Sequence, residues 1–307
     1  MSTQNRDNAV GFIGLGQMGG PMAANILKKG HALVVCDIDT RKVDEFVGLG
    51  AQAADGPADL GRRASRIVSM VDTTAQAEQV IVGPAGIITT AQPGDVVISM
   101  STIDPEALKK MREKLAAKGV ELIDAPVSGM EKGAREGTLR AFVGGEAQAL
   151  EKARPVLDAM CAEIIHFGAI GSGTTMKLLN NMLMQAGRVL VAEAMALGAK
   201  AGLDTQQMVD VIGKSTGNSV VFQYSAPRMV SRNFEGIRMD ITIKDLELQT
   251  QLAKSLGMPM FIAGMAQQVY IMGRAAGFGS EDTSAVVKVY EQFTGVPVGV
   301  AAKQATT

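Results

Sequence analysis

A glycine-rich segment near the start of the chain has the spacing of a phosphate-binding loop. The apolar run Val10–Ile13 leads into the pattern GxGxxG, and a helical stretch follows it. In such a loop the first glycine permits a tight turn, the second lets the backbone approach a pyrophosphate, and the third lets the helix pack close to the strand. This pattern predicts a dinucleotide-binding site formed by Gly14, Gly16, Gln17, Met18 and Gly19.

An acidic residue ends the second predicted strand. Asp37 follows Gly19 by 18 residues, which places its carboxylate where an adenosine ribose would lie. A carboxylate accepts hydrogen bonds from the ribose hydroxyls and repels a 2′-phosphate, so we expect NAD rather than NADP. Arg41 is open to two interpretations, because a basic residue there either reaches a 2′-phosphate or is solvated in the first turn of a helix.

Few residues are available for proton transfer. The two histidines, His31 and His166, have no acid at an informative spacing, and none of the three tyrosines is followed by a lysine four residues later. Lys177 remains, in the first turn of a long predicted helix, with Asn181 one turn later on the same face. The positive end of the helix and burial both disfavour a charged ammonium, which suits a general acid or base. The alternative is a lysine whose ammonium reaches out to solvent.

Short apolar runs alternate with helical stretches over the first half of the chain. Helical spacing is found at Met18–Lys29, Pro105–Ala117 and Ala147–Met160. Strands that alternate with helices indicate βαβ units and a mainly parallel sheet. The predicted strands are Val10–Gly14, Leu33–Asp37, Arg66–Val71, Asp95–Ser99, Glu121–Asp124, Arg140–Val143 and Ile164–Phe167.

The second half has the apolar spacing of helices alone. The predicted helices are Thr174–Lys200, Thr205–Lys214, Asp240–Ser255, Phe261–Ala275 and Ser284–Phe293, and Gly202, Gly257 and Gly277 are expected to end three of them. We therefore expect an α/β protein with an N-terminal Rossmann-type doubly wound sheet in residues 1–168. An all-helical C-terminal domain follows in residues 169–307, and the long helix joins the two. The glycine-dense segment Gly168–Gly173 is the expected hinge.

Composition narrows the class of protein. The 307 residues contain 30 Lys and Arg against 31 Asp and Glu, so no basic surface predicts a nucleic-acid partner. Two separated cysteines, Cys36 and Cys161, exclude a disulfide framework and a cysteine-built metal site, and we expect no metal and a cytoplasmic location. The first eight residues are polar, and the long apolar helix contains polar and charged residues, so we expect neither a targeting segment nor a membrane span.

Four motifs in a fixed order carry a family resemblance. They are GFIGLGQMGGPMAANI at 11–26, DAPVSG at 124–129, GSGTTMKLLNN at 171–181 and KDL at 244–246. Together they resemble the β-hydroxyacid dehydrogenase family, which includes 3-hydroxyisobutyrate dehydrogenase, tartronate semialdehyde reductase and sulfolactaldehyde reductase. The likeness extends from about Val10 to Phe293, nearly the whole chain.

The resemblance implies a role for each motif. Lys177 would be the general acid and base, Asn181 would bind the substrate, and Ser128 with the backbone of Gly129 would bind its carboxylate. The remaining implied contacts come from Thr102 and Lys244, each beside nicotinamide and substrate, and from Val71, close to the cofactor. The implied activity is NAD(P)-dependent interconversion of a small 3-hydroxy acid and its semialdehyde by a homodimer or homotetramer.

One departure from the family pattern leaves the substrate open. Gly129 is followed by Met130 where the family usually has a second glycine, and a side chain there would reshape the pocket. An NADPH-dependent reductase of glyoxylate, of succinic semialdehyde or of a sulfonated aldehyde is therefore an alternative. A dinucleotide-binding sensor is the alternative outside the enzymes, although a sensor has no need of the proton donor Lys177.

Overall fold

The computed structural model describes residues 6–299 of the chain. Contacts divide the chain between Lys177 and Leu178 into two compact units. In the described residues all strands belong to the first unit: β1 (Ala9–Ile13), β2 (Ala32–Cys36), β3 (Gln52–Ala53), β4 (Arg66–Ser69), β5 (Val96–Ser99), β6 (Glu121–Asp124), β7 (Val127–Ser128), β8 (Leu139–Gly144) and β9 (Cys161–Gly168). Its α-helices are α1 (Gly19–Lys28), α2 (Thr40–Gly48), α3 (Pro57–Arg63), α4 (Thr74–Val82), α5 (Pro105–Ala116), α6 (Met130–Glu136) and α7 (Ala147–Leu157).

The strands form one sheet in the order β3-β2-β1-β4-β5-β6-β8-β7, and β9 pairs with β8. Neighbouring strands from β3 to β6 are parallel, whereas β8 is antiparallel to β6 and to β7. The order 3-2-1-4-5-6 is that of a dinucleotide-binding sheet. Ile13, Ser69, Ser99 and Asp124 stand side by side in register, so the loops after β1, β4, β5 and β6 leave from one edge.

Successive side chains along each strand point to opposite faces of the sheet, so each face has its own hydrophobic core. Val68 and Ile98 belong to one core, and Ile67 and Val97 belong to the other. Continuous burial of this kind explains why these strands are short aliphatic runs in the sequence. Helices cover both faces, as expected for a doubly wound sheet.

Local signals set where several of these helices begin. The side chains of Asp39 and Asp104 each accept a backbone N–H in the first turn of α2 and α5, and Pro105 occupies the first position of α5. Thr73 and Gln76 form a reciprocal capping box at the start of α4. Each interaction satisfies N–H groups that have no partner inside the helix.

The second unit is helical. The long helix α8 (Ser172–Lys200) begins in the first unit and ends in the second, and the next helices are α9 (Thr205–Ile212), α10 (Val220–Ser231), α11 (Met239–Ser255), α12 (Phe261–Gly273) and α13 (Val287–Thr294). Short π and 3-10 segments lie at Arg274–Phe278 and Thr283–Val286. The core of this unit contains Met195, Phe222, Ile243 and Tyr270.

Helix α8 has an unusual burial pattern. Asn181, Gln185 and Arg188 are buried, while Leu183 and Leu190 are exposed. By length and composition alone this helix could also cross a membrane. The expectation that it does not stays a prediction, and the burial of its polar residues inside the protein favours it.

The predicted fold class is confirmed, and the predicted strands and helices end within a few residues of the observed ones. Among the predicted glycine stops, Gly202, Gly257 and Gly277 all have φ between +67° and +90°, as glycine C-caps require. Strands β3 and β7 and helices α3, α4, α6 and α10 were not predicted. The boundary at residues 168 and 169 and the hinge at Gly168–Gly173 stay predictions.

Candidate active site

The glycines of the phosphate-binding loop are required for two different reasons. A Cβ atom on Gly14, which has φ +95°, would lie 2.1 Å from the carbonyl oxygen of Met70, and one on Gly19 would lie 1.8 Å from the carbonyl oxygen of Gly14. These two glycines are therefore required by the fold itself. A Cβ on Gly16 would meet no described atom within 4 Å. The space beside Gly16 is what a pyrophosphate needs in order to approach the backbone.

The amino end of α1 suits an anion. Met18 at its N-cap makes no side-chain capping bond, and the first turn contains no acidic residue. Unpaired N–H groups and the helix dipole there attract a phosphate. Gln17, from the same loop, donates from Nε2 to Glu131 Oε2 at 2.7 Å. The loop therefore fits a dinucleotide, and Gly14, Gly16, Gln17, Met18 and Gly19 lie together as predicted.

Asp37 holds the glycine-rich loop in place. Its Oδ2 accepts the backbone N–H of Leu15 at 2.5 Å, and its Oδ1 accepts that of Asp39 at 2.8 Å. A carboxylate has about four acceptor positions, so capacity remains for a ribose hydroxyl. Arg41 is exposed and forms two hydrogen bonds to Asp39. Arg41 lies in the first turn of α2, which agrees with the interpretation that it is a solvated residue at the start of a helix.

A hydrogen bond joins the loop after β4 to the loop after β5. The backbone N–H of Val71 donates to Ser101 Oγ at 2.8 Å. Thr102, the next residue, is half-buried. Val71 and Thr102 thus leave the same edge of the sheet as the glycine-rich loop, which is where the resemblance places the nicotinamide.

The predicted substrate loop contains backbone conformations that favour glycine. Gly129 has φ +135°, and Met130 has φ +55°, which is rare for a residue other than glycine. Ser128 is half-buried, and Met130 is 43% exposed. Helix α6 starts at Met130. It is hydrogen-bonded to α1, because Asn25 Nδ2 of α1 donates to the carbonyl oxygen of Ala134 at 2.7 Å. The substrate loop and the cofactor helix are therefore one packed assembly.

Lys177 and Asn181 lie one turn apart on α8, as predicted. Asn181 is buried, and its Nδ2 donates to Asp245 Oδ2 at 2.8 Å. Lys244 Nζ lies 3.2 Å from Asp245 Oδ1. Asp245 therefore orders both its neighbour Lys244 and the amide of Asn181, and these three residues form one cluster in the second unit. Lys177 is half-buried.

One buried carboxylate was quoted in the substrate motif but given no role by sequence reasoning. Asp124 is fully buried at the end of β6 and accepts the backbone N–H groups of Gly171 and Thr174, each at 2.6 Å. Burial raises the pKa of this carboxyl, and the two N–H donors act in the opposite direction. The signal available in the sequence was an acid at the end of a strand, directly before Ala-Pro. Its hydrogen-bonding partners, however, lie about fifty residues further along the chain.

The histidines have surroundings that suit a structural role. His166 lies in β9, and its Nε2 is 2.8 Å from the carbonyl oxygen of Gly145. His31 is half-buried immediately before β2. The cysteines are free, and burial raises the pKa of Cys161 to about 12.

Comparisons with known proteins match both halves of the chain. Residues 9–168 match the NAD-binding domain of 6-phosphogluconate dehydrogenase, and residues 171–290 match the NAD-binding domain of NADP-dependent 3-hydroxyisobutyrate dehydrogenase. The chain belongs to the β-hydroxyacid dehydrogenase family. It is an NAD(P)-dependent oxidoreductase that interconverts hydroxy acids and semialdehydes, which confirms the predicted family and reaction class.

Individual relatives cover nearly the whole chain. The 2-(hydroxymethyl)glutarate dehydrogenase of Eubacterium barkeri is 39% identical over 94% of this chain and 97% of its own length. The NAD-dependent L-serine dehydrogenase of Pseudomonas aeruginosa is 34% identical over 93% of this chain and 99% of its own. The crystal structure of 3-hydroxyisobutyrate dehydrogenase from Salmonella typhimurium superposes with a TM-score of 0.84 at 31% identity, covering 92% of this chain and 100% of that one.

Proposed function

We propose that this enzyme uses NAD to oxidise a primary alcohol on the carbon next to the one that bears a carboxylate, with Lys177 as general base. In the reverse direction Lys177 is the general acid. The observation that carries the proposal is the placement of Lys177 one helical turn from Asn181, whose amide Asp245 holds in one orientation beside Lys244. An ordered amide and a half-buried lysine on one helix face are what positioned proton transfer requires.

Each group of this site has a separate task. NAD, when bound, would supply the acceptor for the hydride that leaves the alcohol carbon. Lys177 Nζ takes the proton of the substrate hydroxyl, and Asn181 hydrogen-bonds that hydroxyl and keeps it within reach of the lysine. Ser128 and the backbone N–H of Gly129 bind the carboxylate, and Thr102 contacts the nicotinamide. Lys244 keeps the role in cofactor and substrate binding that the family resemblance implies. The proton therefore has a defined acceptor while the carboxylate fixes the orientation of the substrate.

The preference for NAD rests on the charges around Asp37. Asp37 and Asp39 place two carboxylates at the end of β2, and Ile38 between them is 98% exposed and uncharged. Arg41, the basic residue nearest in sequence, is already paired with Asp39. A 2′-phosphate would thus be repelled by the carboxylate of Asp37, whereas ribose hydroxyls would find an acceptor there.

The relatives suggest the shape of the substrate. The acids in the names of the three relatives above share the unit HOCH₂–CH–COO⁻ and differ in the third substituent of the central carbon. We propose that this enzyme acts on the same unit. The substituent would then face Met130, which follows the carboxylate-binding pair Ser128 and Gly129.

A rate screen at the absorbance of reduced nicotinamide tests the function. NAD and NADP are each paired with 3-hydroxyisobutyrate, 2-(hydroxymethyl)glutarate, serine, glycerate, threonate and 4-hydroxybutyrate. NADH and NADPH are each paired with the matching semialdehydes, with glyoxylate and with a sulfonated aldehyde. We expect turnover with NAD on an acid that contains the shared unit. Faster turnover with NADPH on glyoxylate, succinic semialdehyde or the sulfonated aldehyde would contradict the proposal. NADH binding without any turnover would favour a sensor.

The variant Lys177→Ala tests the proton-transfer role on the best substrate. We expect kcat to fall by roughly 10²- to 10⁴-fold while NADH binding, followed by fluorescence, stays intact. Lys132→Ala is the matched control, because Lys132 is exposed on α6 and has no proposed role. A Lys177→Ala enzyme with near-normal kcat would remove Lys177 from the mechanism.

Exposed leucines on α8 suggest how copies of this protein associate. Leu183, Leu190 and Leu197 are each about two-thirds exposed or more, and the spacing of seven places them in one stripe. We propose that this stripe packs against a second copy in a homodimer or homotetramer. The two unpaired cysteines suit our proposal of a cytoplasmic location.

A further inference from the structure

The start of α8 is fixed to the sheet by a single buried side chain. Asp124 comes from β6, and its two carboxylate oxygens accept the N–H groups of Gly171 and Thr174. These donors are 47 and 50 residues further along the chain. Other helices of this protein are capped by a residue directly before them, such as Asp104 or Asp204. A local cap stabilises a helix but leaves its position free, whereas Asp124 ties the helix to the edge of the sheet.

Backbone packing reinforces this attachment. A Cβ on Gly173 would lie 2.1 Å from the carbonyl oxygen of Phe142, and a Cβ on Gly144 would lie 2.4 Å from Asp124 Oδ1. Gly171 has φ +89°. The first turn of α8 therefore touches β8 through main-chain atoms, and neither partner has room for a side chain.

These contacts determine where the next turn of α8 lies. Lys177 follows Thr174 by three residues, which is about 4.5 Å along a helix that is rigid over so short a distance. We propose that Asp124 is a positioning residue for Lys177: by binding the N–H groups of Gly171, just before α8, and of Thr174, in its first turn, it sets the rotation and axial position of the start of α8 relative to the carboxyl edge of the sheet. This inference rests on the proposed role of Lys177 in proton transfer.

The residue that binds the start of α8 also directly precedes the substrate loop. Asp124 is the last residue of β6, and the chain continues through Ala125 and Pro126 to Ser128 and Gly129. One residue thus connects the loop proposed to bind the carboxylate with the helix that supplies the base. Proton transfer depends steeply on such alignment, since a displacement of about 1 Å can cost roughly 100-fold in rate.

The variant Asp124→Asn tests this role with little change in volume. Asparagine keeps one acceptor oxygen but turns an NH₂ group towards a backbone N–H, so one of the two bonds is replaced by a contact between donors. We expect kcat to fall roughly 10- to 100-fold, while the Kd for NADH changes less than twofold. Asp204→Asn is the matched control, because it removes the same carboxylate from the cap of α9, and its kcat should stay within twofold of the wild type.

A double-mutant cycle separates positioning from general loss of structure. If Asp124 acts through Lys177, adding Asp124→Asn to Lys177→Ala should lower kcat no further than Lys177→Ala does alone. A multiplicative loss in the double variant would overturn the inference. Near-normal kcat in Lys177→Ala would instead overturn the proposed function, so the two failures are distinct.

A second substitution covers the case in which Asp124→Asn folds poorly. Asp124→Ser keeps an acceptor oxygen without an opposing NH₂ group, and each kcat is expressed per NADH-binding site. We expect Asp124→Ser to lie between wild type and Asp124→Asn in kcat. Wild-type kcat in either folded variant would show that α8 holds Lys177 in place without this carboxylate.

Discussion

The three glycines of the phosphate-binding loop have different surroundings. Gly14 and Gly19 are enclosed by main-chain atoms, whereas the space beside Gly16 is open. The motif has the same residue at all three positions, and only the surroundings indicate which of them a ligand could approach. Substitution at Gly16 should therefore affect the cofactor and spare the fold.

We expect Gly16→Ala to keep the melting temperature of the wild type and to raise the Kd for NADH at least tenfold. The added methyl group would occupy the space through which a pyrophosphate approaches the backbone. Fluorescence titration measures the Kd, and circular dichroism measures the melting temperature. Gly48→Ala, at another open position, should leave the Kd unchanged. A large drop in the melting temperature of Gly16→Ala would show that the fold needs this glycine as well.

Met130 combines strain with exposure beside the proposed carboxylate site. A left-handed conformation costs a residue with a side chain about 1–2 kcal/mol, and such strain often persists for function. We expect Met130→Gly to raise the free energy of unfolding by about 0.5–1 kcal/mol, because relief of strain exceeds the added flexibility of the unfolded chain. Urea denaturation measures this change.

The variant Met130→Ala separates the effect of backbone strain from the effect of side-chain size at the same position. Alanine keeps the strained backbone but shortens the side chain, so it should not gain stability. If Met130 contacts the substrate, both variants should shift KM towards acids with a bulkier third substituent. Equal KM values in all three enzymes would show that Met130 lies outside the binding site.

At the scale of helices and strands, regular patterns could be predicted and irregular ones could not. The aliphatic strands and the helix Pro105–Ala116 have strong periodicity and clear caps. Helix α6 was missed because it is short and polar and contains Gly133, and α10 was missed because it begins with Val220 and Val221 and contains Pro227. Each of those features normally argues against a helix.

The site was predictable where its residues are close in sequence. Lys177 and Asn181 could be paired from their spacing, and the glycine-rich loop could be recognised from its motif. The bond between Asn181 and Asp245 spans 64 residues, and those of Asp124 span 47 and 50. Such partners depend on the packing of separate elements, which spacing along one chain does not encode.

Buried polar pairs connect α8 and α11. Gln249 Nε2 donates to Gln185 Oε1 at 2.8 Å, one turn beyond the pair formed by Asn181 and Asp245. We expect Gln249→Leu to lower the free energy of unfolding by about 1–3 kcal/mol, because it leaves Gln185 buried without this partner. The double variant Gln185→Leu/Gln249→Leu should recover much of that loss. Urea denaturation of the three proteins checks the expectation, and equal losses in the single and double variants would refute it.

For the whole molecule, the leucine stripe on α8 predicts assembly. We expect Leu190→Glu to reduce the molar mass measured by light scattering after size-exclusion chromatography, because a charge cannot be buried there without a partner. Leu49→Glu changes an equally exposed leucine in the first unit and should leave the mass unchanged. A wild-type protein with the mass of one chain would contradict the assembly proposal directly.

The long helix that begins in one unit and ends in the other has a consequence for recombining this enzyme with its relatives. A junction between Lys177 and Leu178 would divide a helix and separate Lys177, the proposed proton-transfer residue, from the amide of Asn181 one turn away. A junction near residue 169 keeps α8 whole, and Asp124 can still bind the backbone N–H groups at its start, which every residue except proline provides. Chimeras joined there need glycine at 144, 171 and 173, and they would exchange Lys177 and Asn181 together on one helix, while Ser128, Gly129 and Met130 stay with the other half.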